Sequence, residues 1–403
     1  MKKLETSIIF TKFLLFITLL FSTNLNAVKQ IDINELDKYN PEDLCFYKNK
    51  TYDLRYSMPT DPKRRGIKFD CNFMKYLDDF GYLDEKNYVD LTKEPSPKSK
   101  FVTGITNDHR KEAQFLLDSF EKYFPGEKII VYGMGMKPDN RKSLKALKYV
   151  EYRDFDTSKY PKHVAKAKSY AFKYLIASEV LKEYKGATWV DSSVRFQKKG
   201  FMNQIAKLWD CYKGRLPDHK HKEQLKLGKA KRLENYKNVA VNRTCKKKCF
   251  LLIKYRGNNR KLFNFNVKHC YKAPILLHIP TFHGITPTIF PKFSEYFPTD
   301  FKQYDNRTGR QYSSGFVSYV KSKDAIDSFL SWAVLCSLTP SCTEPVRWFP
   351  CGPHFNKNNL FAKHHVCHRF DQTLLTVLLH NSNNFDYRNY VTEIHDYADV
   401  VWT

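Results

Sequence analysis

The chain lacks several things that would place it at once. Its strongest apolar stretch, Phe13 to Phe21, follows Lys12 and ends at Ser22, short of the ~20 residues a membrane-spanning helix needs. None of its ten cysteines forms a Cys-x-x-Cys pair, the tight spacing expected of a zinc finger or a thioredoxin-like site. Gly133-Met134-Gly135 has no third glycine and follows a second strand rather than a first, so it reads as a turn and not as a dinucleotide-binding fingerprint. Acid is also scarce: 42 Asp and Glu against 68 Lys and Arg leave a net charge of +26. That balance favours anionic partners (phosphates, acidic glycans, lipid headgroups, nucleic acid) without choosing among them. Apolar residues are not scarce: hydrophobics make up 42% of the 403 residues and aromatics 15%, which excludes a disordered chain and suffices for one or two domains.

The N-terminus narrows the choice. Lys2 and Lys3 precede the apolar segment Ile8 to Phe21, and Ala27 offers a cleavage point; residues 1–27 read as a secretory signal peptide. Leu25, three positions before the cut, is not small, so an uncleaved signal anchor is the alternative, and only then is a membrane a partner. Entry into the secretory pathway permits disulfides among cysteines 45, 71, 211, 245, 249, 270, 336, 342, 351 and 367. Three Asn-x-Thr sequons, at Asn49, Asn242 and Asn306, fit a glycosylated secreted, ER or Golgi protein. Nucleic acid is set aside as a partner despite the charge.

Residues 28–98 are polar without a sustained period and end in a linker-like run, Lys93 to Lys100. From 99 onward strands and helices alternate. Phe101 to Thr106 reads as a strand, and Ala113, Leu116, Leu117, Phe120 and Phe124 as a helix stopped by Pro125-Gly126. Lys128 to Tyr132 is a second strand, Pro138 to Leu147 a short helix, and Tyr149 to Tyr152 a third strand. His163 to Tyr184 carries a long helical stripe, with Gly186 at its end. The run Ala187-Thr188-Trp189-Val190 then stops at Asp191, with Arg195 four residues on. This order predicts an α/β domain over 99–403 built on a mostly parallel sheet. Asp191 should sit at the strand's carboxyl end, where such sheets bind ligands.

Residues 197–272 hold 22 Lys and Arg against four acids and read as a basic insertion, either a solvated one or a face for acidic glycans. Ile275 to Ile279 is strand-like, and Ala325, Phe329, Trp332, Ala333 and Cys336 form a helical stripe. The tract from Cys336 to His368 has zinc-ligand residue types, but in an oxidising compartment disulfides are favoured. His278 and His283 read as ordinary histidines or as a metal ligand. Asp371-Gln372 opens a late helix.

Four runs carry a resemblance: FVTGITNDHRKEA (101–113), YFPGEKIIVY (123–132), KSYAFKYLIASEVLKEYKGATWVDSSVRF (168–196) and HRFDQTLL (368–375). Over roughly residues 95 to 400, without the insertion, they resemble an uncharacterised metazoan family, domain of unknown function 1647. That family is itself similar to nucleotide-sugar glycosyltransferases of the GT-A fold. The resemblance implies a GT-A-like, Rossmann-type sheet, a nucleotide-sugar donor and a glycan or protein acceptor. It places Thr103 and Gly104 by the nucleotide and makes Asp191 the first acid of the Asp-x-Asp that holds Mn²⁺ or Mg²⁺. It also sets Asp371 and Gln372 near the transferred sugar, with Asp371 as base if configuration inverts. Ser193 stands where the second acid belongs, which weakens a divalent-metal site and leaves Lys173 or Arg195 to meet the phosphate charge directly. Each residue also has a plainer role open to it: Asp191 as a turn or helix cap, Asp371 as an N-cap, Arg195 as the partner of a structural acid. The other functional class is a secreted, non-catalytic protein of degenerate transferase fold that binds acidic glycans.

Overall fold

The computed structural model describes residues 28–209, 251–252, 260–269, 274–281, 283–305, 309–345 and 350–402. The proposed signal peptide, the middle of the basic stretch, Asn242, Asn306 and cysteines 211, 245, 249 and 270 lie outside them. Among the described residues no helix is long and apolar enough to cross a membrane.

Residues 28–98 hold more order than their composition suggests. β1 (Lys29–Ile31), β2 (Leu44–Tyr47) and β3 (Lys50–Asp53) form a small antiparallel sheet with β3 in the middle. Lys48 and Asn49 join β2 to β3 with φ of 47° and 61°, the left-handed pair that a two-residue hairpin of matching twist requires. Cys45 and Cys71 are disulfide-bonded. This region packs into the same core as the rest of the chain. Tyr56 meets the Trp332 ring edge-on at 5.4 Å, and Phe69 lies 6.2 Å from it.

The central sheet is six-stranded and mostly parallel, as expected. In chain order its strands are β4 (Lys100–Ile105), β5 (Ile129–Gly133), β6 (Val150–Asp154), β7 (Gly186–Val190), β9 (Ile275–Leu277) and β10 (Phe316–Val320), with the short β8 (Val194–Phe196) outside it. The spatial order is β9-β10-β7-β4-β5-β6. β7, β4, β5 and β6 are parallel neighbours, with Phe101 opposite both Ile129 and Thr188. β10, which the pattern reading passes over, runs antiparallel between β7 and β9. The connections are helical: α1 (Arg110–Tyr123) after β4, α2 (Pro138–Lys145) after β5, and α3 (Phe172–Tyr184) before β7. α1 buries Ala113, Leu116, Leu117 and Phe120, the one-faced stripe that seats a helix on a sheet. α3 is enclosed almost all round.

Two expectations about α3 need correcting. The helix does not begin at His163: residues 162–165 and 167–169 are 3₁₀ turns, and Tyr170 at φ 55° breaks the run before Phe172. Its left-handed end residue is Lys185 at φ 62°, not Gly186. Gly186 belongs to β7, where a Cβ would stand 3.1 Å from the Ser99 Cα and 3.2 Å from Pro97; the glycine admits that backbone.

Beyond the sheet come α4 (Phe201–Trp209), α5 (Ser331–Leu338), α6 (Phe370–Ser382) and β11 (Ala398–Trp402). α4 falls within the basic stretch, yet it buries Phe201, Ile205, Leu208 and Trp209. β11 pairs antiparallel with β8 and with Leu251–Leu252. Buried hydroxyls cross the sheet in a line: Ser99 Oγ to Thr188 Oγ1, 2.9 Å; Thr188 to Ser318 Oγ, 2.9 Å; Ser318 to His278 Nε2, 2.9 Å. Each satisfies a neighbour that burial would otherwise leave without water.

Candidate functional site

Three residues far apart in sequence meet at the carboxyl edge of the sheet. Asp191 follows the last residue of β7, Lys173 lies in the first turn of α3, and Asp371 lies in the first turn of α6. Lys173 Nζ is 3.0 Å from Asp191 Oδ1 and 2.5 Å from Asp371 Oδ2. The lysine side chain is 3% exposed, Asp371 9% and Asp191 34%, so the cluster opens to solvent on the Asp191 side. Burial lowers the Lys173 pKa, but the two carboxylates outweigh it and hold that pKa above the ordinary lysine value, as opposite charges at this range do.

Neighbours fix each member. The Trp189 indole N–H donates to Asp191 Oδ1 at 2.7 Å, and the Asp191 amide donates to Gly315 O at 2.8 Å. A Cβ on Gly315 would stand 2.8 Å from Asp191 Oδ2, so glycine there leaves room for the carboxylate. Tyr174 donates its hydroxyl to the Asp371 carbonyl at 2.6 Å. Asp371 is therefore no simple N-cap; Arg369 precedes α6 without a side-chain capping bond. Asp191 is likewise an ion-pair member, although its carbonyl does accept the Val194 amide at 3.0 Å.

The other expected residues fare differently. Arg195 turns away: its guanidinium donates to the carbonyls of Val194 at 2.8 Å and Glu112 at 3.2 Å and stacks on Phe115. It therefore does not supply the cation beside Asp191 that its spacing suggested. Thr103 is completely enclosed in β4, and its hydroxyl has no hydrogen-bond partner among the described residues. Gly104 faces Phe172 and Trp189, where a Cβ would press on both rings. Gln372 is buried, and its amide nitrogen has no partner among the described residues. Ser193 is part-exposed, and its carbonyl accepts from Val401 at 2.9 Å. Asn49 is exposed at its hairpin tip.

His278 and His283 are ordinary buried residues. His278 is hydrogen-bonded to Thr392 and Ser318, and His283 to the Gly284 carbonyl; burial lowers the pKa of both. The Cys/His tract forms disulfides, Cys336–Cys342 and Cys351–Cys367, with Cα atoms 5.2 and 4.9 Å apart.

Among the described residues no three His, Cys, Asp or Glu side chains gather as a metal site. The donor set between Asp191 and Asp371 does not fit Mn²⁺ or Mg²⁺. A buried ammonium already shares both carboxylates, and a divalent ion beside it would meet strong like-charge repulsion. Ser193 adds only a neutral hydroxyl.

Pattern reasoning missed Trp189, Tyr170 and Phe370. Trp189 was findable, because residues two apart at a strand end share a face. Tyr170 lines the cleft beside Asp371, together with Tyr174 and Phe370.

The fold and site define an α/β protein with a Lys173–Asp191–Asp371 charge cluster at the carboxyl edge of its sheet. Residues 44–178 match the model of a family described as a protein of unknown function, DUF1647. That match starts well before residue 95, includes Lys173, and stops short of Asp191 and Asp371. No curated protein matches the chain. Solved structures that overlap it include glycosyltransferases. Mouse xyloside xylosyltransferase 1, apo form, has a TM-score of 0.34 at 12% identity, over 71% of this chain and 82% of that one. The galactosyltransferase LgtC with donor and acceptor sugar analogs has a TM-score of 0.28 at 10% identity, over 62% and 66%. An active-site mutant of LgtC has 0.20 at 12%, over 25% and 39%, so the chain spans about two fifths of that relative's length. At these scores the likeness settles nothing about chemistry.

Proposed function

We propose that the protein is a GT-A-type glycosyltransferase of the secretory pathway that moves a sugar from a nucleoside diphosphate donor to a glycan or protein acceptor. The observation that carries this reading is the Lys173 bridge between Asp191 and Asp371. It joins, at the edge where α/β sheets bind ligands, an acid expected near the donor phosphates and an acid expected near the transferred sugar. Asp191, the more exposed of the two acids, is the one open to sugar hydroxyls. Lys173, held charged, meets the negative charge that develops on the departing diphosphate. This built-in cation takes the place of a divalent metal, and donor binding should not require one. In an inverting transfer Asp371 would take the acceptor's proton. Three disulfides among the described residues support an oxidising compartment.

The second reading, a glycan-binding protein without catalysis, is favoured by one observation: Lys173 already neutralises one of the two acids. The test is a panel of nucleoside diphosphate hexoses and amino sugars, with and without Mn²⁺. Wild type should be thermally stabilised by at least one of them equally in both conditions, and should hydrolyse it slowly. Asp191→Asn should stay folded and weaken that binding by about 1.5–3 kcal/mol, the range for a charged hydrogen bond. Stabilisation by free glycans and by no nucleotide sugar would favour the second reading.

A further inference from the structure

The cleft beside Asp371 is flanked by two aromatic residues in unusual backbone conformations. Tyr170, two residues before α3, has φ 55°; Phe370, the first residue of α6, has φ 32°. Bulky residues avoid positive φ, and such outliers collect at ligand clamps. The two rings lie 5.8 Å apart, tilted by 34°. Both line the same cleft as Asp371, and the Lys173 ammonium is 5.8 Å from the Tyr170 ring. Phe370 is buried, but Tyr170 is 40% exposed. Packing therefore explains only part of Tyr170. The left-handed turn it occupies would be served as well by glycine or asparagine. An aromatic ring kept at a backbone cost, 40% exposed, next to Asp371 and the Lys173 ammonium, is suited to act on what docks at the mouth of the cleft.

We infer that Tyr170, backed by Phe370, is the platform on which a pyranose ring lays its C–H face while Asp191 and Asp371 accept hydrogen bonds from its hydroxyls. A hexose ring matches this pairing because it has apolar faces and a rim rich in hydroxyl donors. A ring's negative π-face attracts the C–H groups, and carboxylates accept only from donors. A nucleobase could stack on Tyr170 too, but its rim mixes acceptors with donors and would meet repulsion from two acids. For a nucleotide-sugar donor this inference rests on the transferase reading; for a free pyranose it does not.

The experiment compares wild type, Tyr170→Phe, Tyr170→Gly and Tyr170→Asn. Each is titrated with UDP-glucose, UDP-galactose, GDP-mannose, UDP and GDP by calorimetry, and with methyl glucoside, galactoside and mannoside by saturation-transfer NMR. Tyr170→Gly and Tyr170→Asn relieve the backbone, so their melting temperatures should equal or exceed that of wild type. Both should lose tenfold or more in affinity for the sugar-bearing probe that wild type prefers, with UDP or GDP unchanged. Tyr170→Phe should keep that affinity. Affinity within twofold of wild type in folded Tyr170→Gly and Tyr170→Asn overturns the platform, even where Asp191→Asn abolishes binding and the transferase reading stands. Equal losses for UDP or GDP reassign Tyr170 to the base and overturn it as well. If methyl glycosides bind wild type through Tyr170 and no nucleotide sugar does, the platform stands and the transferase reading falls. If no probe carrying a pyranose binds wild type, both fall.

Discussion

Lys173 and Asp371, 198 residues apart in the chain, meet at 2.5 Å in a nearly closed environment. The next residue, Tyr174, holds the Asp371 backbone at 2.6 Å. Two consecutive residues of α3 thus set the position of α6. Lys173→Met should leave two acids facing each other without their cation. Breaking a buried pair costs about 3–5 kcal/mol, a loss readable in urea melts. Adding Asp371→Asn to Lys173→Met should recover part of it, and an equal loss in the single and double variants would argue against the bridge.

Gly315→Ala tests the seat of Asp191. The added methyl would stand 2.8 Å from the carboxylate and should push it aside, at about 1–3 kcal/mol in stability, the usual range for overpacking. Donor affinity should fall with it. A variant as stable and as tight-binding as wild type would mean that the loop carrying Gly315 moves freely.

The recognisable part of this site is its ends of elements. Asp191 announces itself as an acid closing a β-branched and aromatic run, and Asp371 as an acid opening a helix. That they belong to one site, with Lys173 or Arg195 as the cation, followed from the resemblance; the strand and helix pattern alone does not show it, because it depends on how α3 and α6 dock. Lys173 itself reads as one polar position in a helix whose apolar stripe promises a solvent face; the structure buries nearly the whole helix instead. Arg195 misled for a related reason: proximity in sequence to Asp191 said nothing about which side of β8 its side chain would take. Of the fold, the parallel strands were legible from their alternation with helices. β10 was not, since an antiparallel strand inserted between β7 and β9 leaves no crossover helix to mark it.

Acid should destabilise the protein in two stages. Burial lowers the pKa of His283 and His368 to about 3 and of His380 to about 4. Below the unfolded value near 6.5 the unfolded chain therefore binds protons that the folded one refuses. Stability then falls with pH, by about 1.4 kcal/mol per group per pH unit. Glu393 is shifted by burial upward and, more strongly, by His395 and Arg310 downward, to about 2. Its contribution is complete above the unfolded carboxyl value near 4.5 and is lost as pH falls toward 2. Melting temperatures from pH 8 to pH 3 should be level above about 7 and fall progressively below. A profile flat down to pH 5 would contradict the burial of the histidines.

Cys351–Cys367 spans 16 residues and ends just before Phe370. Replacing both cysteines with serine should cost about 3 kcal/mol, the loop-entropy value for this length, measured by thermal melts. Donor affinity should fall as well, because the ring of Phe370 loses a nearby anchor. Unchanged affinity would confine the bridge to a purely stabilising role.

The place of β10 has a consequence for how the chain is made. β7 is paired with β4 on one side only until Phe316–Val320 arrives, and those residues follow Val190 by 126 positions (316 − 190). At a synthesis rate of roughly 5–20 residues per second, β7 presents an apolar, unpaired edge for about 6–25 seconds. Such an edge is a template for pairing with another nascent chain. A fragment ending near residue 200 should therefore aggregate where the longer chain folds, and a helper that shields strand edges should raise the yield of the whole chain more than one that speeds disulfide exchange.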